Sequence, residues 1–284
     1  MNRWPLIERF PVPEDLQTDL LASMTGSPPD FVRATIAAMT AAVQRDASEL
    51  MADADFHAAV EAIPLSPGDR LIAIGDSVTA DRRGWFELLK ASIKLALPTG
   101  VEVVNLGLSG DTTADVLERL DVLENARPTW VLVMLGTNDT RYHGSKQAYR
   151  MVGLAETERN IRALMECVTG DLAADATLIT PPPADQERIS SFFQGAAVTW
   201  RADELDAVAA LIRSLDSDCV DVSQSIRASA LSGLLEADGV HPTVSGQRHI
   251  VRFVAKRLAH FRRSGIARLG DTAQRHQVPT EAGA

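Results

Sequence analysis

Two cysteines, Cys167 and Cys219, are all that this chain of 284 residues carries. Each falls in apolar surroundings, one in an expected helix and one in an expected strand. So placed, they supply neither a disulfide framework nor the paired spacing of a structural zinc site. Core packing in a reduced, cytoplasmic setting is the expectation. Positive charge is also short: 28 Lys and Arg against 38 Asp and Glu leave a net charge of −10. With no Lys/Arg block standing out, the charge works against binding nucleic acid or an anionic membrane. No apolar run is long enough to insert across a bilayer. The opening stretch, MNRWPLIERFPVPEDL, is interrupted by Arg3, Glu8, Arg9, Pro11 and Pro13 and does not read as a secretory signal. Aromatic residues make up only 5%, so a core must rest on Ala, Leu, Val and Ile. At 45% hydrophobic and 23% charged residues, the balance is still that of a globular chain.

What is present divides into three parts. Residues 1–66 read as an Ala-rich N-terminal helical extension, with one helix opened by Pro29 or Asp30 and another over 55–63. Pro64, Pro67 and Gly68 then break the pattern. From 67 to 263, short apolar runs alternate with longer amphipathic stretches. The runs are LIAIG (71–75), VEVVNLG (101–107), WVLVMLG (130–136), ATLIT (176–180) and DCVDV (218–222). Helices are expected over 85–95, 113–124, 146–168, 202–215 and 244–260. Near-continuous apolar strands separated by helices imply a parallel sheet covered on both faces, a three-layer α/β/α sandwich. Residues 264–284 are expected to be a frayed polar tail.

In an open parallel sheet, ligands bind beyond the carboxyl ends of the strands. The segments that leave those ends are Gly75-Asp76-Ser77, Gly107-Leu108-Ser109-Gly110-Asp111 and Gly136-Thr137-Asn138-Asp139. Asp238-Gly239-Val240-His241 lies a little beyond the fifth run. Any one of them reads equally well as turn and capping chemistry. Four at the same end of one sheet are harder to dismiss.

In order, GDSVTA, NLGLSGDTT, MLGTNDT and DGVHPTVSGQ resemble the four sequence blocks of the SGNH/GDSL hydrolase family, over about residues 70–260. The resemblance implies a flavodoxin-like five-stranded parallel sheet in the order 2-1-3-4-5. It implies Ser77 as nucleophile, with Asp238 and His241 completing a catalytic triad. It also implies an oxyanion hole built from the N–H groups of Ser77 and Gly110 and the side-chain amide of Asn138. Serine is a weak nucleophile until a neighbouring base takes its proton. Three donors aimed at the developing oxyanion would stabilise the tetrahedral intermediate.

Other catalytic patterns are missing. There is no G-x-S-x-G elbow, no G-x-G-x-x-G after the first strand and no P-loop. Ser109 is expected to form a turn. Asp76, Asp111 and Asp139 are expected to serve as caps and hydrogen-bond acceptors, so neither a metal nor another cofactor is implied. His57, His143, His249, His260 and His276 lack partners at motif spacing and read as surface or packing residues.

The expected activity is hydrolysis of short-chain acyl esters or thioesters, with a small-molecule ester as the partner. A carbohydrate O-deacetylase and a non-catalytic scaffold retaining the fold are the alternatives. In the loop over 181–200, Phe192, Phe193 and Trp200 would wall a substrate pocket or pack the loop on the sheet. Arg82, Arg83 and Arg188 read as solvated charge. The extension offers a surface for a homo-oligomer.

Overall fold

The computed structural model describes residues 14–97, 99–144, 146, 148–229 and 233–263. The expected tail, 264–284, and His276 lie outside the described residues. Three helices come first: α1 (Glu14–Thr25), α2 (Pro29–Met51) and α3 (Ala54–Glu61). Pro29 stands at the start of α2, where a missing N–H breaks no helical hydrogen bond. Asp53 opens α3 by accepting from the N–H groups of Asp55 and Phe56 at 3.0 and 3.1 Å.

The alternating part follows. It runs β1 (Arg70–Gly75), α4 (Ser77–Ala80), α5 (Trp85–Ala96), β2 (Glu102–Asn105), α6 (Thr113–Leu117), α7 (Leu120–Ala126) and β3 (Trp130–Met134). Then come β4 (Arg141–His143), β5 (Tyr149–Arg150), α8 (Leu154–Glu166), β6 (Asp175–Ile179), α9 (Gln186–Phe192) and β7 (Val198–Trp200). Helices α10 (Ala202–Leu215), α11 (Val222–Ala228) and α12 (Val244–Leu258) close the chain.

The main sheet is parallel, in the order β2-β1-β3-β6. Ile72 lies opposite Val104 on one side and Val131 on the other. Because side chains alternate along a strand, the apolar runs feed two cores at once. Leu71, Ala73, Leu132 and Met134 meet Trp85 and Leu89 of α5, Phe56 of α3 and Val254 of α12. Ile72, Ile74, Val131 and Val133 meet Leu123 of α7, Ile161 of α8 and Val208 of α10. This is the expected three-layer α/β/α sandwich.

The fifth expected strand is reduced to a single parallel bridge, Ile179 with Val220. Asp216 accepts from the N–H of Asp218 at 2.8 Å, and Asp221 caps α11 by accepting from Gln224 at 3.1 Å. Only Cys219 and Val220 are left between those two turns. The helix expected over 113–124 divides at Arg119, which leaves helical geometry. That expected over 146–168 begins at Leu154, because 141–150 forms a hairpin. This hairpin and β7 make a second, antiparallel sheet, β5-β4-β7, which periodicity did not predict.

Helices α2 and α3 share the main core, whereas Leu21 and Ala22 of α1 pack on Val32 of α2 in a small cluster of their own. Val43, Leu50, Phe56 and Val60 are buried with α5 and α12. Arg248 pairs with Asp46 and Glu49 at 3.2 and 2.9 Å, and Arg252 with Asp53 at 2.7 Å. Leu16, Leu20, Met24 and Phe31 stay exposed on the outer side. A chain starting at Ser66 would uncover the α5–α12 face and is expected to lose a large share of the about 5–15 kcal/mol of net stability. A urea melt of that truncation beside the full chain checks this; coincident midpoints would show the helices to be dispensable. No helix among the described residues is long and apolar enough to cross a membrane.

At the amino ends of the strands, Arg263 reaches across the sheet. It pairs with Asp69 just before β1 at 2.8 Å and with Asp175 at the start of β6 at 2.6 Å. It also donates to the carbonyl of Thr129, before β3, at 2.9 Å. The segments around Ser77, Gly110, Asn138 and His241 lie at the opposite end.

Candidate active site

Ser77 is the first residue of α4, immediately after β1. Asp76 shapes that turn by accepting from the N–H of Val78 at 3.0 Å. Gly75 is required for the close approach: a Cβ there would sit 2.3 Å from Thr79 Oγ1 and 2.8 Å from the carbonyl of Met134. Only glycine lets the short helix fold back over the strand end.

The other half of the site is the loop before α12. One oxygen of Asp238 accepts from the N–H groups of Val240 and His241, each at 2.9 Å. Its other oxygen meets His241 Nδ1 at 2.5 Å. On the far side of the ring, His241 Nε2 stands 2.9 Å from Ser77 Oγ. Three side chains drawn from positions 77, 238 and 241 thus form one hydrogen-bonded chain. Burial alone would raise the Asp238 carboxyl, but the hydrogen bonds and charge of His241 outweigh it and hold it at about 2. The carboxylate is therefore ionised at neutral pH and keeps a proton on Nδ1, leaving Nε2 to accept from the serine hydroxyl.

This loop is held from behind. Arg188 donates to the carbonyls of Leu235 and Glu236 at 2.6 and 3.3 Å, so it is a strut for the loop rather than the solvated charge expected from sequence. Gly239 has φ +71, and a Cβ on it would lie 2.6 Å from the carbonyl of Asp185. Gly239→Ala is expected to cost at least about 1–2 kcal/mol from the left-handed conformation alone. It should also lower kcat by displacing the neighbouring pair. Urea melts and steady-state kinetics on the variant check both; unchanged values would show that the loop adapts freely.

The second and third blocks are fastened to each other. Gly110 takes φ +90 in the loop between β2 and α6. Asn138 opens a 3-10 turn (Asn138–Thr140) and donates from Nδ2 to the carbonyl of Asp111 at 3.0 Å. Asp139 is fully buried and accepts from Thr113 N and Oγ1 at 3.0 and 2.5 Å and from Thr157 Oγ1 at 2.9 Å. Asn160 completes the network by donating to Thr113 Oγ1 at 3.0 Å. Burial pushes the carboxyls of Asp76 and Asp139 above the ordinary range, ahead of the hydrogen bonds that lower them. Asp111 is paired with Arg119 at 2.8 Å. Among the described residues, no group of three or more His, Cys, Asp or Glu is arranged to hold a metal.

Sequence reasoning missed the residues that fix these loops. Arg141 follows directly on the GTNDT block and donates from Nη1 to Asn138 Oδ1 at 3.3 Å. Its Nε donates to His143 Nε2 at 3.1 Å. Arg150 donates to the carbonyls of Asp139 and Val152 at 2.9 and 2.7 Å and pairs with Glu204 at 2.5 Å. Adjacency to the block was a signal for Arg141; nothing in the local sequence pointed to Arg150.

The aromatic trio divides. Phe193 and Trp200 pack together, ring centroids 5.1 Å apart, against Ile189 and Val240, while Phe192 is exposed. Phe193 and Trp200 also line a cavity of about 450 Å³ with Lys146, Gln186, Thr199 and Arg201. None of Ser77, Asp238 and His241 lines that cavity.

A model of the GDSL-like Lipase/Acylhydrolase family matches residues 73–249. An acetylxylan esterase of Geobacillus stearothermophilus is 27% identical over 212 residues, covering 66% of this chain and 93% of that protein. An Escherichia coli enzyme named as thioesterase, protease and lysophospholipase is 28% identical over 196 residues, covering 67% and 83%. Among solved structures, a catalytic mutant of a G. stearothermophilus acetylxylan esterase superposes with a TM-score of 0.52. It is 22% identical, and the match covers 70% of this chain and 97% of that one.

Proposed function

The chain belongs to the GDSL-like lipase/acylhydrolase family and is a carboxylic ester hydrolase; from that premise we propose that it cleaves short-chain acyl esters or thioesters through an acyl-enzyme on Ser77. The observation that carries this reading is the Ser77–His241–Asp238 chain, with contacts of 2.9 and 2.5 Å. Ser77 Oγ attacks the carbonyl carbon while His241 Nε2 takes its proton. The resulting oxyanion faces the N–H groups of Ser77 and Gly110 and the amide of Asn138. As the bond to the leaving alcohol or thiol breaks, His241 returns the proton to it. Water then attacks the acyl-enzyme with His241 as base, and Ser77 recovers its proton as the acid leaves.

Phe193 and Trp200 are proposed to border the part of the substrate that does not react, with Phe192 at the rim. The kinship with an acetylxylan esterase favours a second reading, removal of acetate from an acetylated sugar. The two buried free cysteines support a cytoplasmic setting. Self-association is proposed to use the exposed stripe Leu16, Leu20, Met24 and Phe31.

The test is hydrolysis of p-nitrophenyl acetate, butyrate and octanoate and of an acetylated sugar, with mass spectrometry after reaction with a fluorophosphonate. Rates falling from acetate to octanoate, with one phosphonyl group on Ser77, are expected. Rates rising steadily to octanoate would sink the short-chain reading. Preference for the sugar acetate would select the deacetylase, and failure of both hydrolysis and labelling would leave the scaffold.

A further inference from the structure

Asn138 can serve an oxyanion only if its amide points the right way. The two ends of an asparagine amide are nearly the same shape, so its neighbours decide which is oxygen and which is nitrogen. Here both neighbours speak to the choice. A guanidinium has five donors and no acceptor, so the atom 3.3 Å from Arg141 Nη1 must be the carbonyl oxygen. The carbonyl of Asp111 only accepts, so the atom 3.0 Å from it must be the NH2 nitrogen. One amide hydrogen is committed to Asp111, and the second is left for the substrate.

We propose that Arg141 is a positioning residue that locks the Asn138 amide in its donating orientation and polarises it. This rests on Asn138 being an oxyanion donor. Arg141 is itself held on two sides. Its backbone pairs with Trp200 across β4 and β7, directly after the 3-10 turn. Its Nε donates to His143 Nε2, which requires an imidazole with Nε2 unprotonated. Burial, with the charge of Arg141 beside it, holds His143 below its ordinary pKa and so favours the neutral ring that such an acceptor needs. A cationic donor on Oδ1 draws electron density through the amide and strengthens the N–H opposite, as linked hydrogen bonds reinforce one another. The gain grows with the charge on the oxyanion, so Arg141 acts on the transition state more than on the bound ester.

The test is a double-mutant cycle on p-nitrophenyl acetate, whose lack of charge removes any direct recognition by arginine. Arg141→Met removes every donor at similar length, Arg141→Lys returns a single cationic donor group, and each is also combined with Asn138→Ala. Arg141→Met is expected to lower kcat with little change in KM. The loss is bounded by the about 10²–10³-fold that removal of one oxyanion donor costs. Arg141→Lys should recover part of it, and in the Asn138→Ala background Arg141→Met should change nothing further. Affinity for a boronic acid inhibitor should fall in step with kcat.

Equal losses in both backgrounds, an effect on KM alone, or an unchanged kcat in Arg141→Met would each overturn the inference while leaving the oxyanion hole standing. An unchanged kcat in Asn138→Ala would overturn the assignment of Asn138 itself, and Arg141 with it. Thermal melts identify any variant that fails to fold; if Arg141→Met does, Arg141→Lys carries the cycle.

Discussion

Replacing Ser77 by alanine will lower kcat by about 10⁶-fold, and adding His241→Ala to that variant will lower it no further. On the proposed mechanism the two side chains form one device. Without Ser77 Oγ there is no nucleophile for the imidazole to deprotonate. Without His241 Nε2, 2.9 Å away, the hydroxyl keeps its proton and attacks poorly. Asp238→Asn is expected to be milder, about 10⁴-fold, because the imidazole would remain in place but in the wrong tautomer. On the same mechanism, what survives in each case is the work of the proposed oxyanion donors and of substrate binding. Steady-state and single-turnover rates on the three single variants and the double variant decide it. If His241→Ala kept a tenth of the wild-type rate, another base would have to be found. The pH profile gives a separate check. The Asp238 carboxyl is held at about 2, so its protonation should take away no activity at mildly acid pH.

Arg263→Ala will destabilise the fold by about 3–5 kcal/mol, the usual consequence of removing one partner from a buried ionic group. Asp69 is 0% exposed and Asp175 6%, so neither carboxylate can turn to water when the guanidinium goes. Ser66 N–H and Thr129 Oγ1 would still donate to Asp69, at 2.7 and 2.8 Å. Those two neutral donors would have to hold a charge that now sits near a second one. In the wild type, burial would raise the Asp69 carboxyl, but the hydrogen bonds from Arg263, Ser66 and Thr129 win and hold it low. A depressed carboxylate stabilises the native state above its unfolded pKa of about 4, and that contribution is lost as pH falls through the folded value. In the variant the shift reverses: Asp69 rises above its unfolded value and costs stability as pH increases through the folded pKa. The gap between the two proteins should therefore be wide at pH 8 and narrow towards pH 4. Urea melts at both pH values test this. A gap that does not change with pH would mean that lost packing against Trp130, 5.6 Å from the guanidinium, dominates.

The difference between what was legible and what was not follows from distance along the chain. The apolar runs were readable as sheet because burial on both faces leaves no polar alternation to obscure them. The segments carrying Ser77, Gly110, Asn138 and the Asp238–His241 pair can be placed at one end of the sheet because each is a turn whose chemistry lies within a few residues. The fifth run is shorter as a strand than its composition implies, because Asp216 and Asp221 claim both of its ends for turns. The hairpin at 141–150 gave no periodic signal, being only two or three residues to a strand. Arg263 stands at the border of the expected polar tail, and nothing near it in sequence reveals two aspartates 194 and 88 positions away. The same applies to the Asp139–Thr113–Thr157–Asn160 network, whose members come together only when α6, α8 and the 3-10 turn after β3 have docked.

The single bridge at Val220 bears on how the protein keeps to itself. A sheet that ends in a long, flat border presents a row of unpaired amides on which another chain can build, the route to strand exchange and fibrils. Here the chain touches the border of β6 at one residue and turns at once into α11. An incoming strand would have to displace that contact before pairing with the carboxyl end of β6. The shortened border works as a guard, and a substitution that let 218–222 extend fully would lengthen the template as well as the sheet.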